Sequence, residues 1–221
     1  ICRAHGYGRT EVANAAQVCH AKIYGLELRG ALDLGRTVVE SAHRVGHGRG
    51  QLIAVAASLF AAIELGDWTV AEDSAEQARH LSERLGTMRT GREAMAFQAI
   101  RLKAQGHERR HWTLAALEFG RAFCGPGMLG ILARISPDCA EQDRAPTEGE
   151  AVIAAGCAGH KQLYFCRDAA EVMLRRGDRA RARRYADPLE GFCKDEPLAW
   201  SRFYVARTLA LANRAEGLRD D

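Results

Sequence analysis

Cys157 and His160 stand three residues apart and Cys166 lies six further on, so a thiol paired with an imidazole is the first chemistry to consider. A nucleophilic cysteine needs a base within hydrogen-bond reach, and amide donors for the developing oxyanion. Neither an orienting acid nor a donor-rich loop accompanies this pair. Structural zinc asks for four convergent ligands, and one loop Cys with one His supplies two. The eight histidines show no H-E-x-x-H spacing. The seven cysteines (Cys2, Cys19, Cys124, Cys139, Cys157, Cys166 and Cys193) are odd in number and lack C-x-x-C spacing. No G-x-x-x-x-G-K-[ST] loop is present, and glycines such as Gly35 are isolated. The pattern predicts no catalytic residue, no metal and no cofactor, with reduced thiols on apolar faces and a histidine at a helix junction.

Arg175, Arg176, Arg179, Arg181, Arg183 and Arg184 place six arginines within ten residues. A phosphate backbone is held by such clusters, but no aromatic residues interleave here and the run straddles a helix turn. Solvated arginines are the favoured reading, and nucleic acid is disfavoured. Asp168 and Arg207 fall on neighbouring helices, which makes an ion pair between them an expectation. Trp68, Trp112 and Trp200 are read as wedges at helix junctions.

Positioning these residues is the work of helices. With 47% apolar and 27% charged residues, sparse aromatics and a net charge of +3, the composition is that of a folded helical protein with no excess of charge for nucleic acid. The longest apolar stretch, 51–65, carries Glu64 and falls short of a membrane span. The absence of a signal sequence and the cysteine usage predict a cytoplasmic protein. The chain opens at Ile1 inside a near-helical pattern, which suggests a piece of a longer protein.

Two glycine ladders run at a spacing near 40 residues. Gly25, Gly66 and Gly106 are 41 and 40 apart; Gly46, Gly86 and Gly125 are 40 and 39 apart. A fixed period of this size marks stacked repeats. Leu52, Val55, Ala56, Leu59 and Ile63 form an apolar helical stripe before the Gly66-Asp67 turn. Thr69 to Glu72 reads as a capping box, and Ala71, Ala75 and Ala78 form a small-residue face for close helix approach. The pairs are expected at 1–47, 48–87, 88–125, 126–158 and 159–195, with a final helix at 196–217. Their helices are expected at Val12–Tyr24, Arg29–Val45, Arg92–Gln105, Glu108–Phe123, a brief Met128–Ile135, a segment within Asp138–Ala155, Gln162–Arg176, Arg179–Cys193 and from Pro197 to about Ala215. The fourth unit is compressed by about nine residues against the period. Pro188 is expected to kink or break its helix, and Pro146 falls inside or at the start of another.

The spacing of Gly66, Ala71, Ala75 and Ala78 resembles the tetratricopeptide repeat. Gly177, Ala182, Ala186 and Leu189 are similar, as are Gly25, Gly30 and Leu34, whereas His111 departs at the small position. Farther on, Gly156-Cys157, His160, Tyr164-Phe165, Arg167-Asp168, Tyr185-Ala186, Glu196-Pro197-Leu198, Trp200, Phe203 and Ala206-Arg207 look like the C-terminal repeat region of bacterial multidomain adenylate/guanylate cyclase proteins linked to an AAA ATPase. The cyclase and ATPase residues of that family are absent from this chain.

The resemblance implies an all-α fold, an α-solenoid of about five and a half tetratricopeptide-like helix hairpins. It implies a non-catalytic protein-interaction and regulatory module in signalling, with the effector-sensing arm of an ATP-dependent transcription regulator as the alternative. Partners would be a protein, a peptide or other domains of the same chain, with no membrane. Superposing the units on their turn glycines puts Phe60, Ile63, Lys103, Tyr164, Arg167 and Glu171 on the concave, partner-binding face. Gly25, Gly66, Ala71, Ala78, Gly106, Gly177, Ala182 and Trp200 carry structural roles.

Overall fold

The computed structural model describes residues 6–86, 89–107, 110–157 and 160–214. Cys2, the expected helix start at Glu108 and the expected helix end near Ala215 lie outside the described residues, as do the side chains of His111, Trp112 and Phe119. Among the described residues the chain forms ten α-helices and no strand. They are α1 (Gly8–Tyr24), α2 (Leu28–Arg44), α3 (Gly48–Leu65), α4 (Trp68–Leu85), α5 (Arg89–Ala104), α6 (Arg110–Ile135), α7 (Cys139–Ala154), α8 (Lys161–Arg176), α9 (Arg179–Phe192) and α10 (Ala199–Arg214).

The turns explain the glycine ladder. Residues with positive φ recur at Gly6, Leu26, Gly46, Gly66, Gly86 and Gly106, 20 residues apart at every step. At Gly66 the amide donates to the Ile63 carbonyl and the next amide, Asp67, donates to Ala62. This is the Schellman motif, in which a left-handed residue lets two amides close the last turn of a helix. Leu26 and Glu27 make the same pair of bonds to Ile23 and Lys22, and so do Gly46, Gly106, Gly156 and Gly177 with their successors. Gly25 has φ −78° and is an ordinary helical residue. The ladder's true rung there is Leu26, which turns the 41-residue step into one of 40.

After the turns at Leu26, Gly46, Gly66 and Gly177 the next residue is the N-cap of the following helix. Asp67 accepts from the Val70 amide at 3.2 Å, and Asp178 from the Arg181 amide at 3.0 Å. Asp67 therefore caps α4, in place of the box expected from Thr69, because the helix begins at Trp68, two residues before a Thr69 cap would start it. Asp138 caps α7 in the same way, accepting from Ala140 at 2.9 Å. Pro197 stands two residues before α10 and is not in its first turn.

The chain divides into two compact units, Ile1–His107 and Glu108–Asp221. In the first, each helix packs on the next, and the odd helices α1, α3 and α5 also pack side by side. In the second, α8 adjoins both α6 and α10, with α7 and α9 between them in sequence. Helix α3 touches α1, α2, α4 and α5, so it is buried on several sides: Ala54, Ala57, Phe60 and Ala61 are interior along with Leu52, Val55 and Leu59. By length and composition α3 alone among the described residues is apolar enough to cross a membrane, and this four-sided packing accounts for its composition. In α4, Ala71, Ala75 and Ala78 are buried as the small-residue face requires, and Ala182, Ala186 and Leu189 are buried in α9.

The expected boundary at 125/126 does not exist. Helix α6 runs unbroken for 26 residues through Gly125 and Pro126, replacing both the 108–123 helix and the short 128–135 helix. Pro126 removes one backbone bond to Ala122, a cost of ~3 kcal/mol. Opposing it, Cys124, Met128, Leu129, Ile131, Leu132 and Ile135 are all buried, and each fully buried side chain of this size contributes about 1.5–3 kcal/mol. The same logic holds at Pro188 and Pro146: α9 and α7 continue through them, so the expected break at Pro188 is not seen.

Candidate interaction surface

Helix α8 is the centre of the second unit, with eleven of its sixteen residues buried. Three of those are charged: Lys161, Arg167 and Asp168. Asp168 is wholly buried and accepts from Arg134 Nη1 of α6 at 2.9 Å. It also receives Arg167 Nε at 2.9 Å and Arg167 Nη2 at 3.2 Å, a forked pair between sequence neighbours. The Arg167 guanidinium carbon lies 5.8 Å from the Tyr164 ring, 5.5 Å from Trp200 and 5.6 Å from Tyr204. Three ring faces and a carboxylate stand in for the water this cation has lost. Trp200 sits edge-on to Tyr164 at 5.6 Å, so the rings also hold each other.

Toward solvent, Glu171 accepts from Arg207 Nη1 of α10 at 2.6 Å. Arg175 donates to the Arg134 carbonyl at 3.0 Å. Burial, and then the nearby Arg134 charge, draw the Arg175 pKa below its usual value. On α8, Asp168, Glu171 and Arg175 follow i, i+3, i+7 and therefore share one face. Elsewhere in this unit, Arg176 and Arg181 converge on Asp143 of α7 at 2.8 and 2.9 Å, holding its carboxyl below the usual range. Tyr185 donates to Glu150 at 2.5 Å, and its burial pushes the phenol pKa upward.

The sequence-derived face is redistributed. Phe60, Tyr164 and Arg167 are interior, Ile63 and Glu171 are half-buried, and Lys103 is exposed. Phe60 stacks edge-on against Phe97 of α5 at 5.1 Å. The physical reason is the side-by-side contact of the odd helices: residues that would face a groove on an isolated hairpin lie in the seams between α3 and α5 or between α8 and α10. Charge reversal at Arg167 is therefore a core substitution. The ion pair expected between Asp168 and Arg207 is also rearranged, since Arg207 reaches Glu171 one turn along and Asp168 is taken by α6. Trp200 is fully buried, while Trp68 is 40% exposed at the head of α4.

No protein-family model, curated protein or solved structure matches this chain.

Among the described residues, no group of three or more His, Cys, Asp or Glu side chains is placed to hold a metal ion. His160 lies edge-on to Tyr164 at 6.2 Å, beside the aromatic cluster. Burial alone raises the Cys157 thiol, and burial followed by the Glu150 charge pushes Cys166 up to about 12. Raised thiols are poor nucleophiles at neutral pH. Of the clustered arginines, Arg175, Arg176, Arg181 and Arg183 are engaged, the last with Asn213 at 3.0 Å. An open groove of about 830 Å³ between α9 and α10 is lined by Leu189, Ser201 and Val205 among others. Arg134 and Tyr204 were missed in the sequence, and Arg175 was read there only as one of a run of solvated arginines. Tyr204 follows Trp200 by four and Arg167 follows Tyr164 by three, and these helix-face spacings are the signal that could have found the cage.

Proposed function

We propose that this chain is a non-catalytic protein-interaction module built from tetratricopeptide-like helix hairpins, each unit being a short α-solenoid stack. The observation that carries this reading is the 20-residue recurrence of left-handed turns between helices whose odd members adjoin one another. Such an arrangement exposes an extended, preformed helix surface instead of one deep pocket. The ion pairs around α8 support it, since Asp168, Glu171 and Asp143 are each held by arginines. In the first unit the 40-residue hairpin is longer than the 34 residues of a standard tetratricopeptide unit, and its helices run to 16–18 residues. We place the module in cytoplasmic bacterial signalling, on the resemblance of its C-terminal third to cyclase-linked repeat regions.

The test is an array of immobilised peptides of all charge classes probed with the full chain. Retention of a composition-defined subset, competed by the same peptides in solution, is the expected result. Uniform failure to retain any peptide or protein domain would sink the module reading.

A further inference from the structure

Resting on that reading, we propose that the α6–α8–α10 face around Arg134, Arg175 and Arg207 docks an acidic, amphipathic peptide segment of a partner protein. Three guanidinium groups reach this face, Arg134, Arg175 and Arg207, with Arg167 buried behind them, against two carboxylates, Asp168 and Glu171. Asp168 is spent on Arg134 and Arg167, and Glu171 on Arg207. Among the described residues no carboxylate lies within ion-pair distance of Arg175, whose only bond is to a backbone carbonyl. Glu171 and Asp168 act on Arg175 only through space and are themselves already paired, and guanidinium stays charged at any physiological pH, so arginines outnumber carboxylates on this face.

A second, independent feature lies beside it. On α10, Phe203 and Leu211 stand one turn before and one turn after Arg207, on the same helical face. They are 50% and 38% exposed, among the most exposed large apolar side chains described. A basic centre flanked by apolar side chains one helical turn away matches a segment that alternates acidic and apolar residues at the same pitch. The planar fork of arginine suits a carboxylate held by two parallel bonds. Nucleic acid fits less well, because it needs a stripe of free cations. Arg176 and Arg181 are committed to Asp143, and Arg183 to Asn213.

The probe is a fluorescein-labelled helical peptide with paired glutamates spaced one turn from Leu and Phe, titrated into the full chain and read by anisotropy. Binding is expected, weakening about tenfold when glutamines replace the glutamates and declining between about 50 and 200 mM salt. Arg175→Gln should reproduce most of that loss and Phe203→Ser part of it, with unchanged melting. Arg176→Gln, one residue away but facing Asp143, should bind like the parent. Equal affinity for the glutamine peptide, or for the Arg175→Gln protein, overturns the proposal. So does tighter binding of an oligonucleotide, or of vesicles containing phosphatidylserine, through the same arginines. If neutral or basic peptides are retained on the array while acidic ones are not, this inference fails and the module reading stands. If no peptide is retained, both fail.

Discussion

Removing the Asp168 carboxylate leaves the Arg167 guanidinium among three rings with its nearest counter-charge gone. Breaking a buried pair in this way costs about 3–5 kcal/mol, so Asp168→Ala should lower the urea midpoint far more than Glu171→Ala, whose pair is part-exposed. Two glycines give a sharper residue-scale comparison. Gly66 has φ +71° and open space around any added β-carbon, so Gly66→Ala is penalised by backbone strain alone, about 1–2 kcal/mol. Gly25 is helical, and a β-carbon there meets only ordinary contacts at 3.4–3.6 Å. Gly25→Ala is expected to stabilise by about 0.4–1 kcal/mol through the unfolded chain. Urea melts with opposite shifts would verify this; equal shifts would refute the Leu26 register. The thiols supply a pH prediction. Cys166, at about 12 against an ordinary 9.0, favours its neutral form in the folded state. Its contribution is complete below about pH 9 and is lost as pH rises from there toward 12. At neutral pH, maleimide should modify exposed Cys139 quickly and Cys166 only after unfolding.

At the scale of elements, the seams around α8 are set by two glycines. A β-carbon at Gly130 would lie 3.1 Å from the Phe165 Cα and 3.2 Å from the Asp168 Cβ, so α6 and α8 approach closely because no side chain intervenes. At Gly149 of α7 it would overlap the Phe165 ring. Alanine favours a helix over glycine by about 1 kcal/mol, yet overpacking costs about 1–3 kcal/mol. Gly149→Ala should therefore destabilise despite its better propensity, while Gly149→Ala combined with Phe165→Leu should recover part of the loss. A stabilised single variant would contradict the packing. Helix starts and stops were largely legible in the sequence, because Gly-Asp turns act locally: α4, α8 and α9 end or begin within a residue or so of expectation. The join of two expected helices into α6 was not legible. Gly125-Pro126 is a local stop signal, and only burial of Met128 to Ile135 against α7 and α8 outweighs it.

For the molecule as a whole, the two compact units define where a local defect should spread. Cooperative openings in repeat-like helical proteins follow packed neighbours. In hydrogen exchange, Asp168→Ala is expected to strip protection from amides of α6 to α10 while α1 to α5 retain theirs. Equal loss in both units would show that they unfold as one. The all-helical fold and the 40-residue period follow from the chain alone, since turn chemistry and apolar periodicity are properties of a few adjacent residues. So does the alanine face of α4. Which residues face solvent was decided by tertiary contact: Phe60, Tyr164 and Arg167 belong to the correct helices but lie in the seams where odd helices meet. Partner choice within the ion pairs was decided the same way. A one-turn offset between α8 and α10 gives Arg207 to Glu171 and leaves Asp168 to Arg134, because side-chain reach is shorter than the uncertainty in helix register that a sequence carries.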